Sequence, residues 1–279
     1  MRPRAIGNRG TLLLRNPATT YFVLTFTISW IGALALAIPR LIRCASLPKM
    51  TGMLMFPIML LGPSLAGIAL TRMVDGASGL QELFSRMARW KLPLRWHVTL
   101  LVPPALIACV LFSLKTLVSP SYAPNHFWVG ILFGVPAGFL EEMGWTGFAF
   151  QKLRRGESAF TASVLLGLLW SVWHLPVINY LGSATPHGVY WFPFFVAFAT
   201  VMIAMRVLIA WIYTNTTSVL LAQLMHVSST GSLVLFSPPI ATARQEVLWY
   251  GLYGGVLWLV VILIVTVDAK HFIQKSDPA

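Results

Sequence analysis

Apolar stretches about 20 residues long recur along the whole chain. A helix needs roughly 20 apolar residues to cross the hydrocarbon core of a bilayer, which is about 30 Å thick. Eight stretches approach that length, at about residues 19–39, 51–71, 97–118, 126–152, 158–180, 190–213, 217–237 and 246–268. The chain is 57% hydrophobic and 10% charged, whereas a soluble domain is about 25% charged. We therefore predict an all-α, polytopic membrane protein with eight transmembrane helices, and not a secreted, cytosolic or disordered chain.

The formal net charge of +12 comes from lysines and arginines that lie between the apolar stretches. This distribution is typical of membrane proteins, so we expect the lipid bilayer, and no nucleic acid, as a partner. Positive charge favours the cytoplasmic side, which predicts cytoplasmic N- and C-termini. The compactness of the chain favours a prokaryotic source, so we expect a bacterial inner (plasma) membrane. The cytoplasmic set is then Arg2, Arg4, Arg9, Arg15, Arg72, Arg86, Arg89, Lys91, Arg95, Lys152, Arg154, Arg155, Lys270 and Lys275, against Arg40, Arg43, Lys49, Lys115 and Arg244 on the other side.

No polar stretch is long enough to fold as a separate unit. We predict one membrane domain at 18–270, preceded by a cytoplasmic N-terminal segment at 1–17 and followed by a cytoplasmic tail at 271–279. Within the domain, Gly79–Trp96 carries apolar residues at helical spacing. This pattern predicts an amphipathic helix on the cytoplasmic membrane surface, with a plain amphipathic connector as the alternative.

Four titratable side chains interrupt the apolar stretches themselves. Glu141 and Glu142 lie inside the fourth stretch, His174 inside the fifth and His226 inside the seventh. An ionisable residue within a bilayer is costly and is a functional candidate by default. We therefore expect these side chains to converge from three helices on one buried polar cavity.

A carboxylate beside two imidazoles suits the activation of water as a nucleophile. Glu141, His174 and His226 also form a three-ligand set that is typical of a catalytic zinc ion, which leaves one position open for water. Either arrangement predicts hydrolysis of a carbonyl compound, with an amide bond as the obvious target. A proton relay in a transporter is a further alternative. Cys44 and Cys109 are too few for a disulfide framework or a cysteine zinc site.

Three runs of the C-terminal half carry a resemblance to a known family. They are EEMGWTGFAFQKL at Glu141–Leu153, WSVWHLP at Trp170–Pro176 and HVSST at His226–Thr230. Their order and content resemble the type II CAAX prenyl endopeptidases, also called CPBP or Abi intramembrane metalloproteases. The motifs span about residues 125–235, and the resemblance implies an eight-helix fold with a catalytic cavity that is reached from the cytoplasmic side.

The resemblance also implies roles for particular residues. Glu141, beside Glu142, would activate water together with His174. His226 would bind or polarise the reacting groups nearby, and Thr230 would stand at the position that helps to hold the oxyanion. The divalent metal, zinc, would be held by Glu141, His174 and His226, although metal-free activation of water by glutamate is also argued for the family. The implied function is an intramembrane endopeptidase, a hydrolase that acts on a peptide or lipidated-protein substrate such as a prenylated CAAX terminus. A catalytically weakened member that acts as a bacteriocin-immunity or membrane-partner protein is the alternative.

The chain departs from the family pattern at three positions. Thr146 stands where the family has arginine, Trp170 where it has phenylalanine, and Thr230 where it has asparagine. Ser228 or Ser229 could contribute to the oxyanion position in place of the asparagine.

The missing arginine draws attention to Arg206, which lies inside the sixth apolar stretch. One hypothesis is that Arg206 points inward and neutralises Glu142. The alternative is that its side chain extends along the helix to the cytoplasmic headgroups.

Overall fold

The computed structural model describes residues 15–44, 49–125, 128–181, 187–239 and 241–274, and within these ranges all regular structure is helical. Most of the predicted N-terminal segment and cytoplasmic tail lies outside the described residues, as do Arg2, Arg4, Arg9 and Lys275. The helices are α1 (Pro17–Leu41), α2 (Lys49–Met59), α3 (Leu61–Leu70), α4 (Gly76–Met87), α5 (Leu94–Val98), α6 (Val102–Leu117), α7 (Val129–Gly144), α8 (Phe150–Leu153), α9 (Ala159–Trp173), α10 (Leu175–Leu181), α11 (Trp191–Thr216), α12 (Val219–Phe236), α13 (Ala243–Val267) and α14 (Ala269–Phe272).

The fold is that of an all-α polytopic membrane protein. Within the described ranges, six helical segments are long and apolar enough to cross a bilayer: Pro17–Leu41, Leu54–Met87, Leu94–Leu117, Gly188–Thr216, Val219–Phe236 and Ala243–Val267. The predicted count of eight is therefore not confirmed. The predicted spans at 126–152 and 158–180 are the two that are not among these six. The fourth carries the two glutamates and runs without interruption from α7 through a π-helical turn into α8, and the fifth is a shorter apolar helix, α9.

The predicted surface helix at Gly79–Trp96 has different bounds in the structure. Helix α4 ends at Met87, and the backbone from 88 to 93 is not helical. Pro93 explains part of this break, because proline disfavours helical backbone at the residue before it. Phe84 and Trp90 are 51% and 62% exposed, but Arg86 is buried and donates a 2.6 Å hydrogen bond to the Tyr213 hydroxyl. The segment is therefore tied to the bundle and does not simply lie on it.

Small residues bring the glutamate-bearing helix close to α12. A side chain at Gly134 would meet the backbone of Gly231, and a side chain at Gly138 would meet the backbone oxygen of Gln223. Gln223 in turn donates a 3.0 Å hydrogen bond to the Phe139 carbonyl. Because glycine has no Cβ, the two helices approach within backbone contact. This close approach places His226, on α12, next to Glu142, on α7.

The described cations separate into two ends of the bundle. At one end, Lys152 forms a 2.7 Å ion pair with Asp75, and the Ser218 hydroxyl donates to the Arg89 carbonyl at 2.6 Å. We call this the cation-rich end, defined by residues 72–95, 152–157, 215–218 and 268–274. At the opposite end, His187 contacts Glu246 at 2.7 Å. The separation agrees with the predicted charge distribution, and which end faces the cytoplasm stays a prediction.

Candidate functional site

Glu142 is fully buried and its carboxylate accepts hydrogen bonds from three different elements. Oε2 accepts from Arg206 Nη1 at 2.7 Å and from the Thr146 hydroxyl at 2.5 Å, and Oε1 accepts from His226 Nδ1 at 2.7 Å. The hypothesis that Arg206 points inward and neutralises Glu142 is confirmed, and the alternative of an extended side chain is wrong. A buried charge of this kind persists only when it is paired and hydrogen-bonded.

Thr146 and Arg206 together fill the place of the family's arginine. Thr146 lies four residues after Glu142, which puts both side chains on one helix face. A hydroxyl supplies a hydrogen bond but no charge, and the cation comes instead from α11. The charge of the motif is thus retained, although its source has moved to another helix.

Glu141 has a different environment, although it is the neighbouring residue and is equally buried. Its Oε2 accepts from Trp145 Nε1 at 3.1 Å and from Trp170 Nε1 at 2.7 Å. Its Oε1 has no hydrogen-bond partner among the described residues. One oxygen is therefore held by two indoles while the other stays available.

Both imidazoles leave the same nitrogen available. His174 Nδ1 lies 2.7 Å from the Trp170 carbonyl oxygen, which can only accept, so Nδ1 carries the proton. His226 Nδ1 donates to Glu142 in the same way. The ring of Trp170 packs edge-to-face against both, with centroid distances of 5.2 Å to His174 and 5.1 Å to His226. The Nε2 atoms of both imidazoles remain without a hydrogen bond to any other described residue.

The structure thus brings Glu141, Glu142, His174 and His226 into one cluster, with Trp170 at its centre. Sequence reasoning identified the four titratable residues and noted Trp170 as a departure from the family's phenylalanine. It recognised neither Trp170 nor Trp145 as a hydrogen-bond donor to Glu141. The available signal for Trp145 is its spacing of four residues from Glu141, whereas Trp170 comes from another helix and carries no such signal.

Thr230 lies half-buried one turn after His226, and within the described part of the chain its hydroxyl forms no hydrogen bond. Ser228, an alternative donor, already donates to the Leu100 carbonyl at 2.5 Å. An oxyanion role for Thr230 stays a prediction.

A cavity of about 310 Å³ reaches His174. Its walls are largely aromatic, with Phe194, Phe198 and Tyr250 among the lining residues, and the His187–Glu246 pair also lines it. These residues place the cavity toward the end opposite to the cation-rich end. Access to the site from the cytoplasmic side, which the resemblance implies, stays a prediction.

The predicted metal ligands do not form a metal-binding set as they lie. Across the described ranges, no group of three His, Cys, Asp or Glu side chains is placed to hold a metal ion. The hydrogen bonds do not prevent such a set, since they occupy Nδ1 of both imidazoles and leave Nε2 of each, and Oε1 of Glu141, available. Zinc bound by Glu141, His174 and His226 stays a prediction, and we derive no step through a metal.

The fold and the cluster together define a polytopic membrane protein with a buried carboxylate–imidazole centre. The family model described as "Type II CAAX prenyl endopeptidase Rce1-like" matches residues 123–231, a range that includes all of these site residues. The chain is also similar to CAAX prenyl protease 2 of Methanococcus maripaludis, with 29% identity over 193 residues that cover 64% of this chain and 67% of that protein. These matches confirm the resemblance of the chain to the type II CAAX prenyl endopeptidases.

Proposed function

We propose that the chain is an intramembrane endopeptidase in which Glu141 activates water for attack on a peptide bond. The substrate is a membrane-associated peptide or lipidated protein cleaved near its terminus, with prenylated CAAX sequences as the first class to test. The observation that carries this proposal is the unpartnered Oε1 of a fully buried Glu141. A buried carboxylate oxygen without a donor is costly in a purely structural role.

The reaction follows from the groups that remain available. Glu141 Oε1 accepts a proton from water, and the water oxygen attacks the carbonyl carbon of the scissile bond. When the carbon–nitrogen bond breaks, the same carboxyl group returns the proton to the leaving amine. The second O–H of the water donates to Nε2 of His174 or of His226, which orients the water, and Glu142 keeps His226 in the tautomer that leaves Nε2 as an acceptor.

Glu141→Gln is the direct test of this function. The amide keeps the shape of the side chain but cannot take the proton, so we expect turnover to fall by a factor of about 10³ or more, within the range of general acid–base catalysis. Turnover is measured on farnesylated and unmodified CAAX peptides with purified protein in detergent. Glu82→Gln is the matched control, because that side chain is 60% exposed at the cation-rich end. An E141Q variant that is folded and retains turnover would contradict the proposal.

The alternative function is a catalytically weakened family member that acts as a bacteriocin-immunity or membrane-partner protein. The observation in its favour is Thr230, whose hydroxyl is shorter than the family's asparagine and forms no hydrogen bond to the described residues. In that case the biological effect would survive Glu141→Gln, and purified wild-type protein would show no turnover on either peptide.

A further inference from the structure

Trp170 contacts Glu141, both histidines of the cluster and Arg206. Its indole N–H donates to Glu141 Oε2, and its carbonyl oxygen accepts from His174 Nδ1. The Arg206 guanidinium lies over its ring at 4.3 Å, and the ring edge packs against His226. Three of these contacts depend on the side chain, and one of them requires an indole nitrogen.

The indole N–H decides which oxygen of Glu141 is free. A carboxylate held through one oxygen by two donors loses rotational freedom, so its other oxygen keeps one direction. Trp145 provides one of these donors from the same helix, at 3.1 Å, and Trp170 provides the shorter bond from α9, at 2.7 Å. Only the bond from Trp170 ties the carboxylate to α9, whose C-terminal cap is His174. The phenylalanine that the family has at this position cannot make that bond.

The indole ring of Trp170 also stabilises the charge of Arg206. Two of the guanidinium nitrogens, Nε and Nη2, have no hydrogen-bond acceptor among the described residues. A cation over the face of tryptophan is stabilised electrostatically, more strongly than over phenylalanine. Trp170 therefore supports the cation that neutralises Glu142 while its edge holds Glu141.

We propose that Trp170 is a positioning residue that orients Glu141 through the indole N–H, so that Oε1 faces the water and the imidazoles. This inference rests on the proposed function of Glu141. It assigns to Trp170 a function in this chain that a phenylalanine at the same position lacks.

The hydrogen bond itself is tested without any measurement of activity. Indole ¹⁵N labelling of the eleven tryptophans gives one N–H resonance for each, and Trp170→Phe identifies the resonance of Trp170. We expect Glu141→Gln to shift the Trp170 and Trp145 resonances, because an amide oxygen is a weaker acceptor than a carboxylate. A Trp170 resonance that does not respond to Glu141→Gln would overturn the inference, whatever the activity of the protein.

The positioning role is tested by separating kcat from KM. Trp170→Phe keeps an aromatic ring but removes the N–H, so we expect kcat to fall about tenfold while KM changes less than about twofold, in line with the loss of one hydrogen bond to a charged group. Replacement of Trp170 by 3-benzothienylalanine, which has the shape of tryptophan without the N–H, should reproduce the decrease. A kcat that stays within about twofold of wild type in both variants would overturn the role.

Trp96→Phe is the control. Trp96 is also buried, but its ring packs against Trp211 at the cation-rich end and, within the described residues, contacts no member of the cluster. We expect its kcat to stay near that of wild type, and an equal decrease in W96F would contradict a specific role of the Trp170 N–H. Failure of the proposed function gives a different result, since wild-type protein would then lack turnover even though the Trp170 resonance responds to Glu141→Gln.

Discussion

At the scale of single residues, two adjacent glutamates have opposite environments. Glu142 has three donors and a positive charge beside it, so it is a structural anion that holds His226. Glu141 is held through one oxygen only. Because the two residues are 100° apart on a helix, each faces different neighbours, and the neighbours determine which carboxylate is available for chemistry.

Removal of Arg206 should destabilise the protein strongly. Arg206→Leu leaves Glu142 as a buried charge without its cation, for which we expect a loss of about 3 kcal/mol in the free energy of unfolding. The measurement is denaturant or thermal unfolding in detergent. Arg72→Leu, at an exposed arginine, is the control and should change stability by less than about 0.5 kcal/mol.

A second substitution tests whether the charge has moved from one helix to another. Thr146→Arg places an arginine at the family's position, four residues after Glu142, so the double variant Arg206→Leu/Thr146→Arg should recover part of the lost stability. Equal stability of R206L and R72L, or a double variant no more stable than R206L, would contradict the pairing as the source of stability.

Metal content tests the predicted zinc set. The three side chains do not form a three-ligand group as they lie, but each keeps an atom available, so the zinc prediction requires about one equivalent of zinc in purified protein and loss of turnover in the presence of a chelator. The comparison is elemental analysis of wild type and of a His174→Ala/His226→Ala double variant. Zinc well below one equivalent in the wild type, or turnover that survives the chelator, would contradict the predicted ligand set.

At the scale of helices, the site depends on how closely α7 and α12 pack. Gly134 and Gly138 allow backbone contact between the two helices, and this contact brings His226 within 2.7 Å of Glu142. Helices in lipid associate largely through such packing, because apolar side chains gain little from leaving a hydrocarbon solvent.

An alanine at Gly134 should therefore separate the two helices. Its Cβ would meet the Gly231 backbone, which cannot move aside as a flexible side chain would, and we expect a loss of about 1–3 kcal/mol together with reduced turnover. Gly251→Ala on α13 is the control, because a Cβ there meets nothing within 4 Å and alanine favours helix. Unfolding and turnover of both variants are measured in detergent, and a Gly134→Ala protein as stable and active as wild type would show that the close approach is dispensable.

At the scale of the whole molecule, the two ends of the bundle differ in charge, and the cavity that reaches His174 lies at the cation-poor end. If positive charge marks the cytoplasmic side, this cavity lies toward the extracytoplasmic side. The position of the cavity relative to the membrane therefore depends on an orientation that charge alone predicts.

Labelling of single cysteines determines that orientation. Both natural cysteines, Cys44 and Cys109, are exposed, so Cys44→Ser/Cys109→Ser provides a background for Ser85→Cys at the cation-rich end and Ser237→Cys at the cavity. In intact cells or right-side-out vesicles, we expect a membrane-impermeant maleimide to label S237C and not S85C, with the reverse in inside-out vesicles. The opposite pattern would place the cavity on the cytoplasmic side, as the family resemblance implies.

The sequence alone determined that the chain is helical, that it belongs in a membrane and which titratable residues lie inside it. These properties follow from local composition. In lipid, each backbone group must form its hydrogen bond within its own helix, and a charged residue inside an apolar stretch is recognised directly in the sequence. Helix bounds near Arg86 and the number of spans were less predictable, since burial against Tyr213 and the break before Pro93 override the apolar pattern.

Only the tertiary structure decided which of these side chains meet. Arg206 is 64 residues from Glu142 along the chain, and Trp170 is 29 residues from Glu141. The sequence allowed Arg206 two orientations, and helix packing selected the inward one. It marked Trp170 as aromatic but not as a donor to Glu141. Contacts between helices depend on which faces pack together, and that choice is made by the whole bundle, because no single segment contains both partners.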